Sequence, residues 1–188
     1  MVKNKLRKSL FEQGQSLSDS FITDSNLIIQ SQAIENIDFK STINNLLYFP
    51  YRYEVSIELI EKEINKYSNN IYMPRIISNK NMSFNLLDGS PIVKNKYGIN
   101  EINNNKYLDP LSFDCMFIPF VGIDSNGQRL GYGGGYFDRS LEVLKGTKER
   151  PLIVGLGYDY QVSKEVYGEK HDLKYDLVIT ERRVLSFI

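Results

Sequence analysis

The run Arg129-Leu130-Gly131-Tyr132-Gly133-Gly134-Gly135-Tyr136-Phe137-Asp138-Arg139 concentrates the residue types that handle phosphate. Four of the five positions 131–135 are glycine. With so little side-chain bulk, the backbone can approach an anion and turn several N–H groups toward it. Arg129 and Arg139 bracket the run, and guanidinium forks match phosphate oxygens. Asp138 is a carboxylate in a cationic setting, suited to Mg²⁺, which prefers oxygen ligands and bridges to nucleotide phosphates. The run is not a Walker A motif, because no Gly-Lys-Ser/Thr is present. Nor is it G-x-G-x-x-G, because Tyr136 stands where the last glycine would be. Residues 124–127 just before it (Asp-Ser-Asn-Gly) read as a flexible turn.

Such a loop needs a strand before it and a helix after it. Residues 113–118 are apolar almost throughout, which predicts a central strand covered on both faces. Phe137, Leu141 and Leu144 predict a helix over 136–145, whose positive N-terminal end would add to the anion site. Elsewhere, residues 2–13 predict a basic helical arm, and Ser18 or Asp19 could cap a helix running to about residue 36. Ile60, Ile64 and Tyr67 predict a helix over 55–67. Strands are predicted at 46–49 (stopped by Pro50), 71–73 (ended by Pro74), 84–87, 152–154 and 177–179, and 100–109 reads as loop. Strand and helix signals alternate, which predicts an α/β fold with an open, mostly parallel twisted sheet. Ligands bind such sheets at the carboxyl ends of strands, hence the loop after Ile118.

Composition narrows the function classes. A chain of 188 residues suits one domain over 1–188. Lys+Arg and Asp+Glu both total 23, so no broad basic surface for nucleic acid is indicated. No apolar run reaches the roughly 20 residues of a membrane helix, and the basic N-terminus has no long apolar stretch behind it. The single cysteine, Cys115, lies among apolar neighbours and reads as a core thiol. These features fit a cytoplasmic protein that acts on small molecules, and nothing demands more than a monomer. Lys3 and Arg7 lie one helical turn apart, and taken alone they read as a solvated basic face. His171, the only histidine, carries no catalytic assignment.

RLGYGGGYFDR after an apolar strand ending in Pro119 resembles the signature of 5-formyltetrahydrofolate cyclo-ligases, also called methenyltetrahydrofolate synthetases. The resemblance continues through Lys3-x-x-Leu6-Arg7, Tyr48-Phe49-Pro50 with Glu54, Met73-Pro74-Arg75, Tyr97-Gly98-Ile99-x-Glu101, His171-Asp172 and Thr180-Glu181. It implies a three-layer α/β/α, Rossmann-like sheet with helices on both faces. It also implies ATP- and Mg²⁺-dependent closure of 5-formyltetrahydrofolate to 5,10-methenyltetrahydrofolate, with release of ADP and phosphate. By that resemblance Lys3, Arg7, Arg129 and Arg139 meet the nucleotide, with Lys3 and Arg129 in the catalytic role. Leu130, Gly131, Tyr132, Gly133, Gly134, Gly135 and Tyr136 form a loop shared by nucleotide and folate. Asp138 and Asp172 hold Mg²⁺, while Phe49, Glu54, Tyr132, Gly134 and Tyr136 contact the folate. The chain departs from the family at Ile102 and in Gly168-Glu169-Lys170, where proline is common, and in Gln13-Gly14-Gln15, where a basic residue is usual.

Two other readings belong to different classes. One is a folate- or nucleotide-binding regulator without turnover. The other is a sugar-phosphate isomerase, which would need a general base, for which Glu54 is the candidate.

Overall fold

The computed structural model describes residues 2–78, 80–169 and 172–188. His171 therefore lies outside the described residues. The helices are α1 (Val2–Gln15), α2 (Asp19–Asn36), α3 (Glu58–Asn65) and α4 (Tyr136–Ser140). The strands are β1 (Asn44–Leu46), β2 (Asn70–Ser78), β3 (Asn81–Leu86), β4 (Ile92–Lys94), β5 (Asn100–Ile102), β6 (Cys115–Phe117), β7 (Gly122–Ile123), β8 (Arg129–Leu130), β9 (Leu152–Leu156), β10 (Leu177–Ile179) and β11 (Val184–Ser186). Seven of them form one sheet in the order β11-β10-β9-β6-β1-β2-β3. Every internal pairing from β10 to β2 is parallel, and the two edge pairings, β10–β11 and β2–β3, are antiparallel. β4–β5 and β7–β8 are separate antiparallel hairpins.

The sheet separates two cores, and the strand period of two assigns residues to them. Leu47, Cys115, Phe117, Val154 and Ile179 belong to a cluster closed by Ile29 and Ala33 of α2 and Ile60 and Ile64 of α3. Leu46, Met116, Ile118, Ile153 and Val178 belong to a second cluster, closed by Leu141 and Leu144 behind α4. Burial on both faces explains why β6 reads as unbroken apolar sequence. Cys115 is part of this core, and burial pushes its thiol well above the ordinary range. α1 stands apart. It packs through Leu10 on a small cluster with Val121 and Leu130.

α2 begins as its sequence predicts, with the Ser18 hydroxyl accepting from the Phe21 N–H at 3.2 Å. Several boundaries differ from expectation. β2 does not stop at Pro74 but runs through it, paired there with Phe84 of β3. Its pairing with β1 ends at Tyr72, so Pro74 lies beyond the inner partner, where a missing N–H is tolerated. β5 occupies part of the stretch expected to be loop, because Glu101 is drawn inward by the Ile76 N–H. α3 starts at Glu58 rather than 55, since Val55 and Ile57 are spent on the core in the approach to it. The helix expected over 136–145 is only five residues of α-helix followed by a 3-10 turn, Glu142–Leu144. Its dipole is correspondingly a minor contributor to any anion site.

β1 is followed in sequence by β2 on one side, whereas β6 lies on its other side. The loops leaving the carboxyl ends of β1 and β6 therefore diverge, and the crevice between them is where ligands settle in open α/β sheets. The first of these loops carries Phe49 and Glu54, and the second leads into the glycine run.

Candidate active site

Two cavities meet at the glycine loop. The first, of about 390 Å³, has walls from α1, the glycine loop, α4, Glu169 and Asp172. Its cations are Lys3, Arg7, Arg129, Arg139 and Lys145, set against the carboxylates of Asp138, Glu142, Glu169 and Asp172. Lys3 Nζ donates to Asp172 Oδ2 at 2.6 Å and lies 3.5 Å from Glu169. Arg7 Nε donates to the Gly131 carbonyl at 2.7 Å, which ties α1 to the loop. Lys3 and Arg7 are thus not a solvated basic face; both turn inward on the cavity.

The second cavity, of about 330 Å³, is mainly apolar. Phe49 and Glu54 come from the loop after β1, Pro74 and Ile76 from β2, and Met82 from β3. Tyr97 and Glu101 come from the β4–β5 hairpin, and Tyr132, Gly134 and Tyr136 from the glycine loop. Tyr97 and Tyr136 meet hydroxyl to hydroxyl at 3.1 Å. Glu101 braces the hairpin against β2: its Oε1 accepts from the Ile76 N–H at 2.9 Å and from Asn95 Nδ2 at 2.8 Å. Sequence reasoning gave Tyr97 and Glu101 no role. The run Tyr97-Gly98-Ile99-x-Glu101 was the available signal, but nothing in its spacing says that the hairpin folds back over β2.

Arg129 and Gly135 line both cavities. Arg129 is 5% exposed. Its Nη1 donates to the Pro119 carbonyl at 3.0 Å and its Nη2 to Asp138 Oδ2 at 2.9 Å. Asp138 Oδ1 also accepts the Leu173 N–H at 3.2 Å. Burial pushes the Asp138 carboxyl up, but the charge and hydrogen bond of Arg129 outweigh it and hold the group below the usual carboxylate range. Among the described residues, no group of three or more His, Cys, Asp or Glu side chains could hold a metal ion by itself.

The shape of the loop depends on its glycines. Gly133 has φ +96°, where an L side chain is strained, and a Cβ there would sit 3.5 Å from the Arg7 guanidinium carbon. Gly134 does not adopt a positive φ. Its requirement is steric instead: a Cβ would lie 2.8 Å from the Tyr136 ring. Gly134, Tyr132 and Tyr136 face the apolar cavity, while Gly131 and Gly133 face the charged one. Leu130 is 1% exposed and packs with Leu10, so its side chain serves the core beneath the loop.

Glu54 is the second acid of the apolar cavity, beside Glu101. Burial pushes its pKa up to about 7, against the Tyr51 N–H, the Tyr132 hydroxyl and the charge of Arg129, all of which pull it down. The Tyr51 N–H donates to Glu54 Oε2 at 2.8 Å.

The family model described as the 5-formyltetrahydrofolate cyclo-ligase family matches residues 1–181. A 5-formyltetrahydrofolate cyclo-ligase of Mycoplasma genitalium is 29% identical over 94% of this chain and 96% of its own length. One from Mus musculus is 24% identical over 96% of this chain and 94% of its own length. The NMR structure of Aquifex aeolicus 5,10-methenyltetrahydrofolate synthetase superimposes with a TM-score of 0.85 at 26% identity, covering 100% of this chain and 93% of that one. With the family model matching almost end to end, a related solved structure sharing the sheet, and a charged cavity abutting an apolar one, the chain belongs to the 5-formyltetrahydrofolate cyclo-ligase family.

Proposed function

We propose that this chain converts 5-formyltetrahydrofolate to 5,10-methenyltetrahydrofolate at the expense of ATP. The observation that carries this reading is the shared wall of Arg129 and Gly135 between a cation-lined cavity and an apolar one. Polyphosphate placed in the first and folate in the second would bring the γ-phosphate and the formyl group together there. The formyl oxygen attacks the γ-phosphorus and ADP departs. N10 then attacks the activated carbon, forming the new C–N bond. The C–O bond breaks, and phosphate leaves with the formyl oxygen and takes up the N10 proton. Such a route needs positioning and charge neutralisation rather than a covalent nucleophile. Lys3, Arg7, Arg129 and Arg139 would supply the positive charge. Phe49, Tyr132 and Tyr136 would contact the folate rings, and Glu54 would accept from pterin N–H groups.

Mg²⁺ fits this donor set as an ion carried in on the nucleotide. It commonly binds one or two carboxylates plus substrate phosphates, and a carboxylate has about four acceptor positions. Asp138 spends one bond on Arg129 and one on Leu173, so it retains acceptor capacity facing the charged cavity. Asp138 and Asp172 are the residues that would hold it. When bound, the ion neutralises charge on the transferring phosphate. A cytoplasmic monomer is the setting we propose; no helix among the described residues is long and apolar enough to cross a membrane.

The direct test mixes protein, ATP, Mg²⁺ and 5-formyltetrahydrofolate and follows methenyl absorbance. Binding of both ligands without product would support the non-catalytic reading instead, and ATP-independent turnover of a sugar phosphate would support the isomerase. Asp138→Asn is expected to raise the Mg²⁺ concentration needed for half-maximal rate by roughly tenfold or more, the scale of one lost charge-assisted contact. Wild-type rates at ordinary Mg²⁺ would remove Asp138 from metal binding. Gly134→Val must displace the Tyr136 ring, so it should weaken folate by about tenfold and ATP by much less. Calorimetric titrations showing the reverse order would put Gly134 on the nucleotide side.

A further inference from the structure

Asp124 lies between β7 and β8 in the stretch that reads as a flexible turn, yet it is wholly buried. Its Oδ1 accepts the N–H groups of Asn126 and Gln128, both at 2.9 Å, and these bonds close the hairpin turn. Its Oδ2 accepts the N–H groups of Tyr167 at 3.2 Å and Gly168 at 2.8 Å, from a distant part of the chain. The turn needs only the first oxygen. The second is committed to the segment 167–169, through its first two N–H groups.

That segment serves the charged cavity in two ways. Asp172 Oδ2 meets Lys3 Nζ and also accepts the Glu169 N–H at 2.8 Å. The Tyr167 side chain joins Leu10, Val121 and Leu130 in the cluster on which α1 rests, and α1 carries Lys3 and Arg7. A second tether leaves the same hairpin: Gln128 Nε2 donates to the Glu169 carbonyl at 2.9 Å. The hairpin runs directly into the glycine loop through Arg129 and Leu130. One short element thus sets the loop on one side of the cavity and, through Asp124 and Gln128, residues 167–169 beside Asp172 on the other.

We propose that Asp124 is a positioning residue for the phosphate cavity, its second carboxylate oxygen holding residues 167 and 168 next to the Glu169 N–H that Asp172 accepts where it meets Lys3. This rests on reading that cavity as the nucleotide site. Asp124→Asn separates the two functions of the carboxylate. The amide oxygen can still close the turn, but an NH₂ donor would face the two N–H donors of Tyr167 and Gly168. Hydrogen exchange on the ligand-free protein should accelerate at amides 167 and 168 by about tenfold or more, while amides 126 and 128 stay protected. KM for ATP should rise about tenfold with 5-formyltetrahydrofolate affinity within about twofold of wild type. If Asp124→Asn does not fold, Gln128→Ala, which loses one partly exposed tether, should shift exchange at 169 and KM for ATP in the same direction by about threefold. Unchanged exchange at 167–169, or equal losses for both ligands with a lower melting temperature, would overturn the proposal. A wild-type protein that binds no nucleotide would sink the proposed function instead, so the two failures are distinct.

Discussion

Arg129→Met is expected to lower turnover by at least a hundredfold, the scale of removing one preorganised electrostatic group from a transition state. The side chain is of similar length but carries neither charge nor donors. Arg129 is the charged side chain that lines both cavities, and its guanidinium also stacks 5.3 Å from the Phe137 ring. Its loss leaves the Pro119 carbonyl with only the longer bond from the Tyr175 hydroxyl, at 3.3 Å, and Asp138 with a single hydrogen bond from Leu173. Removing one partner of a buried ion pair typically costs about 3–5 kcal/mol; with Asp138 20% exposed, water recovers part of that, and about 2–3 kcal/mol is expected. Arg129→Lys keeps a charge but not the fork, so it should regain more stability than turnover. Methenyl absorbance and a melting curve on both variants check this. Turnover of Arg129→Met within about tenfold of wild type would remove Arg129 from the chemistry, leaving it a structural cation.

Glu54→Gln is expected to do opposite things to binding and to stability. In the proposed complex the carboxylate accepts from the pterin. Losing a charge-assisted hydrogen bond of about 1.5–3 kcal/mol weakens folate roughly ten- to a hundredfold. ATP should bind almost as before, because Glu54 does not line the charged cavity. In the free protein the carboxylate is held at a pKa of about 7 against an ordinary 4.5. The folded form therefore binds this proton more tightly than the unfolded chain. The resulting stability is fully present below about pH 4.5 and is lost as pH rises through about 7. That gap is worth about 3 kcal/mol at most. Gln keeps an acceptor for the Tyr51 N–H and never ionises, so at pH 8 the variant should melt higher than wild type, and this part of the pH dependence should vanish. A paired titration, one ligand at a time, with melting curves at pH 5 and pH 8, checks all three. Equal loss of both ligands, or a lower melting temperature with folate affinity intact, would return Glu54 to a structural role.

The parts that the sequence determined by itself are those whose physics is local. Apolar residues at 113–118 required a strand buried on both faces and those at 152–154 a strand, and the observed β6 and β9 alternate between the two cores. Ser18 caps α2 because a hydroxyl at that point can accept a first-turn N–H. The glycine run between two arginines was local enough to read as one motif, and the phosphate role proposed for it rests on small residues, N–H groups and guanidinium forks having few other joint uses. The tertiary structure alone decided what depends on distant partners. Glu101 and Tyr97 became cavity walls only when the β4–β5 hairpin met β2, and a three-residue strand leaves too short a pattern to announce itself. The glycine loop was legible as one motif, but its division between cavities was not. That division follows from Arg7 reaching Gly131 from one side and Tyr136 covering Gly134 on the other. Asp124 shows the limit most clearly. Asp-Ser-Asn-Gly specifies a turn through one carboxylate oxygen, and that much is local. Whether the turn is loose or pinned was decided by the other oxygen, whose partners lie 43 and 44 residues away.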